Sequence, residues 1–219
     1  MTEKMAEKTY EQWIGELASS AQTPGGGAAC ALVGAVGAAL GSMVGNLTVG
    51  KKKFAEVESE MQSLLAETAE LTQKLESMIE GDAAAFEPLA AAYRMPADTD
   101  EAKAKKEEAI QAALGVAIWS PLAIAECCCK ALALLEVYAK KGNPLLRSDA
   151  GVGAACCRAA LEGAKLNILT NLRLVKDAEA RDDIFRSVES ITANGVKAAE
   201  RIYRFVEQDM MWETDKDQN

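Results

Sequence analysis

The chain has 219 residues, with 24 Lys plus Arg against 33 Asp plus Glu, a net charge of −9, and no histidine. An acidic balance of this size argues against a general nucleic-acid binder. The missing imidazole removes histidine-based triads, HExxH zinc chemistry and imidazole acid–base catalysis together. Residues 1–20 are polar and amphipathic, without an Arg-rich stretch leading into an apolar one, so no secretory signal is read there. The first helix is expected to begin at Thr9, which forms a capping box with Gln12, and to show Trp13, Ile14 and Leu17 on one face.

Residues 21–50 carry no charge. A run of that length is long enough to cross a bilayer. It is dominated by Ala and Gly, however, with Leu only at 32, 40 and 47, and small residues give little transfer energy. Gly37, Gly41 and Gly45 recur every four residues, a smooth stripe where another helix can approach closely. The segment is read as a buried, tightly packed helix of a soluble cytoplasmic protein, with no membrane partner. Thr23 and Pro24 are placed as its N-cap and first residue, with the glycines at 25–27 able to delay its regular start.

A third helix is expected from about Lys52 to Glu80, with Val57, Met61, Leu64, Thr68, Leu71, Leu75 and Met78 forming a bundle seam. Phe86, Leu89 and Tyr93 continue an apolar face, and a kink or break is expected at Gly81 or Pro88. After a loop at 94–98 comes a helix carrying Ile110, Leu114, Leu122, Leu132 and Leu135, which Pro121 should kink or divide. Gly142-Asn143-Pro144 reads as a stop. Ser148 then caps a helix running toward Val175, and a last amphipathic helix covers about Asp182 to Met211, followed by a polar tail after Trp212. No strand pattern of useful length is present. The fold class is all-α, a long-helix bundle of up-and-down type, as a single domain over 1–219.

Gly25, Gly26 and Gly27 at a helix start offer free amides and a positive dipole end, suited to a carboxylate, carbonyl or phosphate. The pattern is not GxxxxGK[ST] and follows no strand, which argues against a nucleotide P-loop; close packing is the competing explanation. Lys51, Lys52 and Lys53 concentrate positive charge at a helix start, where they oppose the dipole unless an anion is present. Asp149 lies at another helix start among small residues, and Asp82 lies between apolar stretches, where burial would raise its pKa. The six cysteines, at 30, 127, 128, 129, 156 and 157, show no C-x2-C spacing and read as reduced core residues. Gly27-Ala28-Ala29-Cys30 is echoed by Gly153-Ala154-Ala155-Cys156. That is either coincidence among small-residue helices or two helices packed closely with their glycine-rich starts lining one cleft.

Four motifs occur in order: Thr23-Pro24-Gly25-Gly26-Gly27; Asn46 through Lys53; Asp82 through Phe86; and Gly142-Asn143-Pro144 with Ser148 through Val152. Together they resemble the cyclodeaminase/cyclohydrolase family, over nearly the whole chain. The departure is Leu145-Leu146-Arg147, where smaller or polar residues are expected. The resemblance implies an all-helical homodimer, joined through helices, with a tetrahydrofolate derivative bound in a cleft near the subunit interface. The expected reaction is reversible hydration of 5,10-methenyltetrahydrofolate to 10-formyltetrahydrofolate, needing a positioned water, a base and an acid but neither metal nor redox cofactor. The alternatives are 5-formimidoyltetrahydrofolate cyclodeaminase and, from another class, a non-enzymatic helical scaffold.

On this reading Asp149 is the base or pterin anchor, Asp82 the second carboxylate and Lys51 a proton donor. Pro24, Gly25, Gly26, Gly27, Asn46, Lys51, Lys52, Lys53 and Ser148 bind substrate. The lysines would meet a monoglutamate or polyglutamate tail by point charge.

Overall fold

The computed structural model describes residues 8–211, with the backbone alone at Ala83. Among them are six α-helices and no strand: α1 (Tyr10–Leu17), α2 (Gly26–Asn46), α3 (Glu58–Arg94), α4 (Asp100–Lys141), α5 (Arg147–Leu172) and α6 (Ala178–Met210). Two 3₁₀ turns, Lys52–Val57 and Pro144–Leu146, lead into α3 and α5. The tail expected after Trp212 lies outside the described residues.

The Thr9–Gln12 capping box forms in both directions, and α1 is tied to the core through Trp13. From α2 onward the chain runs up and down. Residue pairs fix the sense: Asp82 meets Ala28 while Leu65 meets Gly45, Thr68 meets Tyr138, and Gly151 meets Val206 while Leu161 meets Gly195. So α2, α4 and α6 point one way, α3 and α5 the other. The uncharged helix α2 lies against α3, α4 and α5 together. Its length and apolarity would let it cross a membrane, as would α4, but about half of each apolar stretch is buried in the fold.

Small residues explain the tight centre. A β-carbon on Gly37 would lie 2.8 Å from the Gly153 carbonyl oxygen, and one on Gly153 would lie 2.8 Å from that of Gly37. Backbone touches backbone there, as the glycine stripe predicted. The echoed Gly-Ala-Ala-Cys motifs nevertheless do not line one cleft. Because α2 and α5 are antiparallel, Gly153 packs on Gly37 in the middle of α2, ten residues along the helix from Gly27.

Several boundaries differ from expectation. Helix α2 starts at Gly26 with Gly25 as its N-cap, and the Thr23–Pro24 bond preceding it is cis. Helix α3 runs unbroken through Gly81 and Pro88. A single internal glycine costs only about 1 kcal/mol, and burial of Leu75, Ile79 and Leu89 offsets it. Ser148 does not cap α5; Leu146 holds that position, and Asn143 instead caps the preceding 3₁₀ turn. Helix α6 begins at Ala178, four residues before the expected Asp182, because Asp177 accepts from the Ala180 amide as its N-cap.

Helix α4 is also continuous across Pro121. Proline has no N–H for the carbonyl four residues back, here Ala117. The Asn171 side chain supplies the donor instead, its Nδ2 lying 3.0 Å from the Ala117 oxygen. A side chain from α5 thus repairs the gap in the neighbouring helix.

Candidate active site

The start of α2 is clasped from two sides. From α3, Asp82 Oδ2 accepts the Ala28 amide at 3.1 Å, a carboxylate cap donated by a distant helix. Its other oxygen stands where a β-carbon on Gly27 would be. From α5, the Asn167 carboxamide oxygen would lie 3.2 Å from a β-carbon on Gly26, and its Nδ2 turns back toward Cys30 Sγ at 3.9 Å. Gly26 and Gly27 therefore make room for polar side chains of this protein.

Between these arms is a cavity of about 240 Å³, lined by Gly25–Gly27, Asp82, Phe86, Pro121, Asn167, Thr170 and Asn171 among others. Asp82 is its one titratable side chain among the described residues. Partial burial raises the Asp82 pKa above its ordinary 3.8, and the Ala28 hydrogen bond pulls it back only in part. Burial, with the nearby Asp82 charge, pushes the Cys30 thiol up to about 11, so Cys30 stays protonated and unreactive at neutral pH. Pro24 is buried beneath this end, and Thr23 lines it.

The other predicted residues occupy the far end. Helix α2 carries the chain about 30 Å from Gly26 to Asn46 at 1.5 Å per residue. There Thr48 is fully buried, donating to the Val44 carbonyl at 2.6 Å and accepting the Asn143 amide at 2.9 Å. Gly50 adopts φ of +73°, which side-chain-bearing residues rarely do, and its amide donates to Glu58. This turn presents exposed Lys51, Lys52 and Lys53, with Lys53 over the Phe54 ring. Ser148 is exposed and Asp149 half-buried in the first turn of α5, and Asn46 is exposed nearby on α2. Among the described residues, none of these three lysines nor Asp149 has an ion-pair partner.

Within one chain, then, Gly25–Gly27 and Asp82 come together, whereas Asn46, Lys51–Lys53, Ser148 and Asp149 form a second group at the opposite end. The expectation of one cleft does not hold within a single subunit. Arg147, the departure from the family pattern, is a brace: its Nε donates to the Ala139 carbonyl, its guanidinium pairs with Asp209 and it packs on Phe205. Asn167 and Thr170 were not anticipated as site residues. The available signal was Asn167 and Asn171 one helical turn apart on an otherwise apolar face.

The formiminotransferase-cyclodeaminase family model matches residues 9–190. The chain belongs to this family. It is 42% identical to a methenyltetrahydrofolate cyclohydrolase of Methylorubrum extorquens, over 91% of this chain and 96% of that one. It is 33% identical to the formimidoyltransferase-cyclodeaminase of Sus scrofa over 86% of its own length, but spans only 35% of that longer protein. The crystal structure of formiminotetrahydrofolate cyclodeaminase from Thermotoga maritima superposes with a TM-score of 0.85 at 28% identity, covering 95% of this chain and all (100%) of that one. The match to the T. maritima structure agrees with the all-helical architecture.

Proposed function

We propose that the protein is a methenyltetrahydrofolate cyclohydrolase acting in the cytoplasm. The observation that carries this reading is Asp82: a half-buried carboxylate, raised in pKa, held beside helix-start amides in a cavity with no lining cation among the described residues. The substrate is a cationic amidinium. A cavity with one negative charge stabilises that cation electrostatically and offers a base next to it. Asp82 takes a proton from water as its oxygen bonds to the bridging carbon, giving a neutral adduct. Protonated Asp82 then returns the proton to N5 as the C–N5 bond breaks, and the hydroxyl proton leaves to solvent as the formyl C=O forms. The similarity to the M. extorquens cyclohydrolase, nearly end to end, supports the same assignment.

The second reading is 5-formimidoyltetrahydrofolate cyclodeaminase, favoured by the T. maritima structure. Purified protein given each substrate separates the two. Loss of the methenyl chromophore without ammonia release is the expected result; ammonia release from the formimidoyl substrate alone would assign the second activity. Turnover of neither would leave the scaffold reading.

The working form in this proposal is a homodimer. The cavity is smaller than the roughly 300–1,000 Å³ usual for a whole organic ligand, so it suits the ring system and leaves the glutamate tail outside. The outer face of α2 is uncharged yet open, with Val36 47%, Met43 42% and Leu47 40% exposed. Pairing that face with its own copy about a two-fold axis across the helix sets the two α2 helices antiparallel. Each Gly25–Gly27 cavity then faces the partner's lysine cluster. Lys51–Lys53 would hold a mono- or polyglutamate tail, and Ser148 and Asp149 would edge the same cleft.

A further inference from the structure

Granting the folate reading above, one lining residue has a chemistry that the hydration step does not use. The Asn167 side chain places its Nδ2 toward Cys30 Sγ at 3.9 Å and its oxygen beside Gly26, on the cavity wall. Cys30 is kept protonated, so this contact adds no charge. The next asparagine along the same face, Asn171, is committed through its Nδ2 to the Ala117 carbonyl and is structural. Asn167 Oδ1 is therefore a neutral acceptor, oriented and without a partner donor among the described residues, across the helix start from Asp82.

A reduced pterin head carries ring and exocyclic N–H donors on its pyrimidinone edge. Asp82 cannot both take the proton from water at the bridging carbon and hold that edge. We propose that Asn167 is a substrate-contacting, specificity-determining residue, whose carboxamide oxygen accepts a hydrogen bond from an N–H of the pyrimidinone edge and sets the ring so that the bridging carbon faces Asp82. The neutrality of the group matters. A carboxylate there would place a second negative charge beside Asp82 and raise its pKa further.

The test is steady-state hydration of methenyltetrahydrofolate by the full chain and its Asn167→Ala and Asn167→Asp variants, with thermal melts of each. Asn167→Ala leaves a buried donor unpaired, and KM is expected to rise about tenfold or more with a smaller change in kcat. Asn167→Asp keeps an acceptor of the same shape, so KM should stay within about threefold of wild type while the acid limb of the pH–kcat profile moves up by at least half a unit, on the order of what neighbouring carboxylates produce. An unchanged KM in a well-folded Asn167→Ala variant overturns the proposal, as does an Asn167→Asp variant whose KM matches Asn167→Ala with an unmoved acid limb. Should Asn167→Ala fail to fold, the Asn167→Asp profile decides alone. Wild-type protein inert toward both folate substrates refutes the functional reading itself, and that result is distinct from either variant outcome.

Discussion

The carboxylate of Asp82 occupies the space that a side chain on Gly27 would need. Gly27 lies in the first turn of α2 and Asp82 on α3, 55 residues on, so a side chain cannot be added at Gly27 without moving Asp82. Gly27→Ala must push Asp82 away from the Ala28 amide and out of the cavity wall. The expected outcome is a folded protein whose hydration rate falls at least about 10²-fold, the lower range for losing a positioned acid–base group. Circular dichroism and turnover measured on one preparation check it.

Asp82→Asn separates catalysis from stability. The folded-state pKa of Asp82 is raised, so the folded chain binds that proton more tightly than the unfolded chain. A raised carboxylate contributes stability at low pH that is lost as pH rises through the folded value. At neutral pH the ionised form is thus a cost, and an uncharged amide still accepts from Ala28. The variant should melt at the same temperature or higher while losing about 10²–10⁴ in kcat. For the wild type, activity should fall below an acid limb lying above 3.8, the ordinary Asp value. A lower melting temperature with activity retained would be the opposite result.

The α2–α5 contact is set by Gly37 and Gly153, where a β-carbon added to either would lie 2.8 Å from the other's carbonyl oxygen. Backbone cannot rotate away as a flexible side chain can. Gly153→Ala should therefore force the helices apart and cost about 1–3 kcal/mol, read by urea unfolding. Gly81→Ala is the control, since a β-carbon there meets nothing within 4 Å. It should stabilise α3 slightly.

Glu136 predicts a pH effect of opposite sign to Asp82. Hydrogen bonds from Arg201, then Lys140, hold its carboxyl down to about 2, against an ordinary 4.5. A depressed carboxylate stabilises the fold above the unfolded value and loses that contribution as pH falls toward the folded one. The melting-temperature gap between wild type and Glu136→Gln should be steady above pH 4.5 and close toward about pH 2. A gap that widens on acidification would show that the pair is not what stabilises this corner.

The architecture was legible because helical periodicity and capping are local. Thr9 with Gln12, the glycine stripe of α2 and the seam of α3 could each be read from neighbours in sequence. The failures came where a nearby cap outcompeted the one expected, as Asp177 does for α6, or where the deciding partner is distant in sequence. Pro121 looks like a break until Asn171, fifty residues on, supplies the missing donor. Ser148 looks like a cap until the 3₁₀ turn capped by Asn143 takes its place. The site followed the same rule. Gly25–Gly27 and Asp82 were visible as chemistry, but that Asp82 fills the void at Gly27 depends on how α3 returns past α2. That the lysines and Asp149 stand at the other end follows from helix length and direction, which motif order does not carry.

Mixing two inactive variants tests the two-ended site most directly. Asp82→Asn disables the cavity end, and Lys51–Lys53→Ala disables the tail end. If each working site combines one end from each subunit, random re-pairing after mild unfolding puts both defects in one site of a hybrid dimer and leaves the other site intact. Activity on a polyglutamylated substrate should then recover to about a quarter of wild type from nearly inactive parents, the yield of statistical two-fold pairing. Recovery no greater than the average of the two parents, in a sample shown to contain hybrids, would contradict the shared site and return both ends to separate duties.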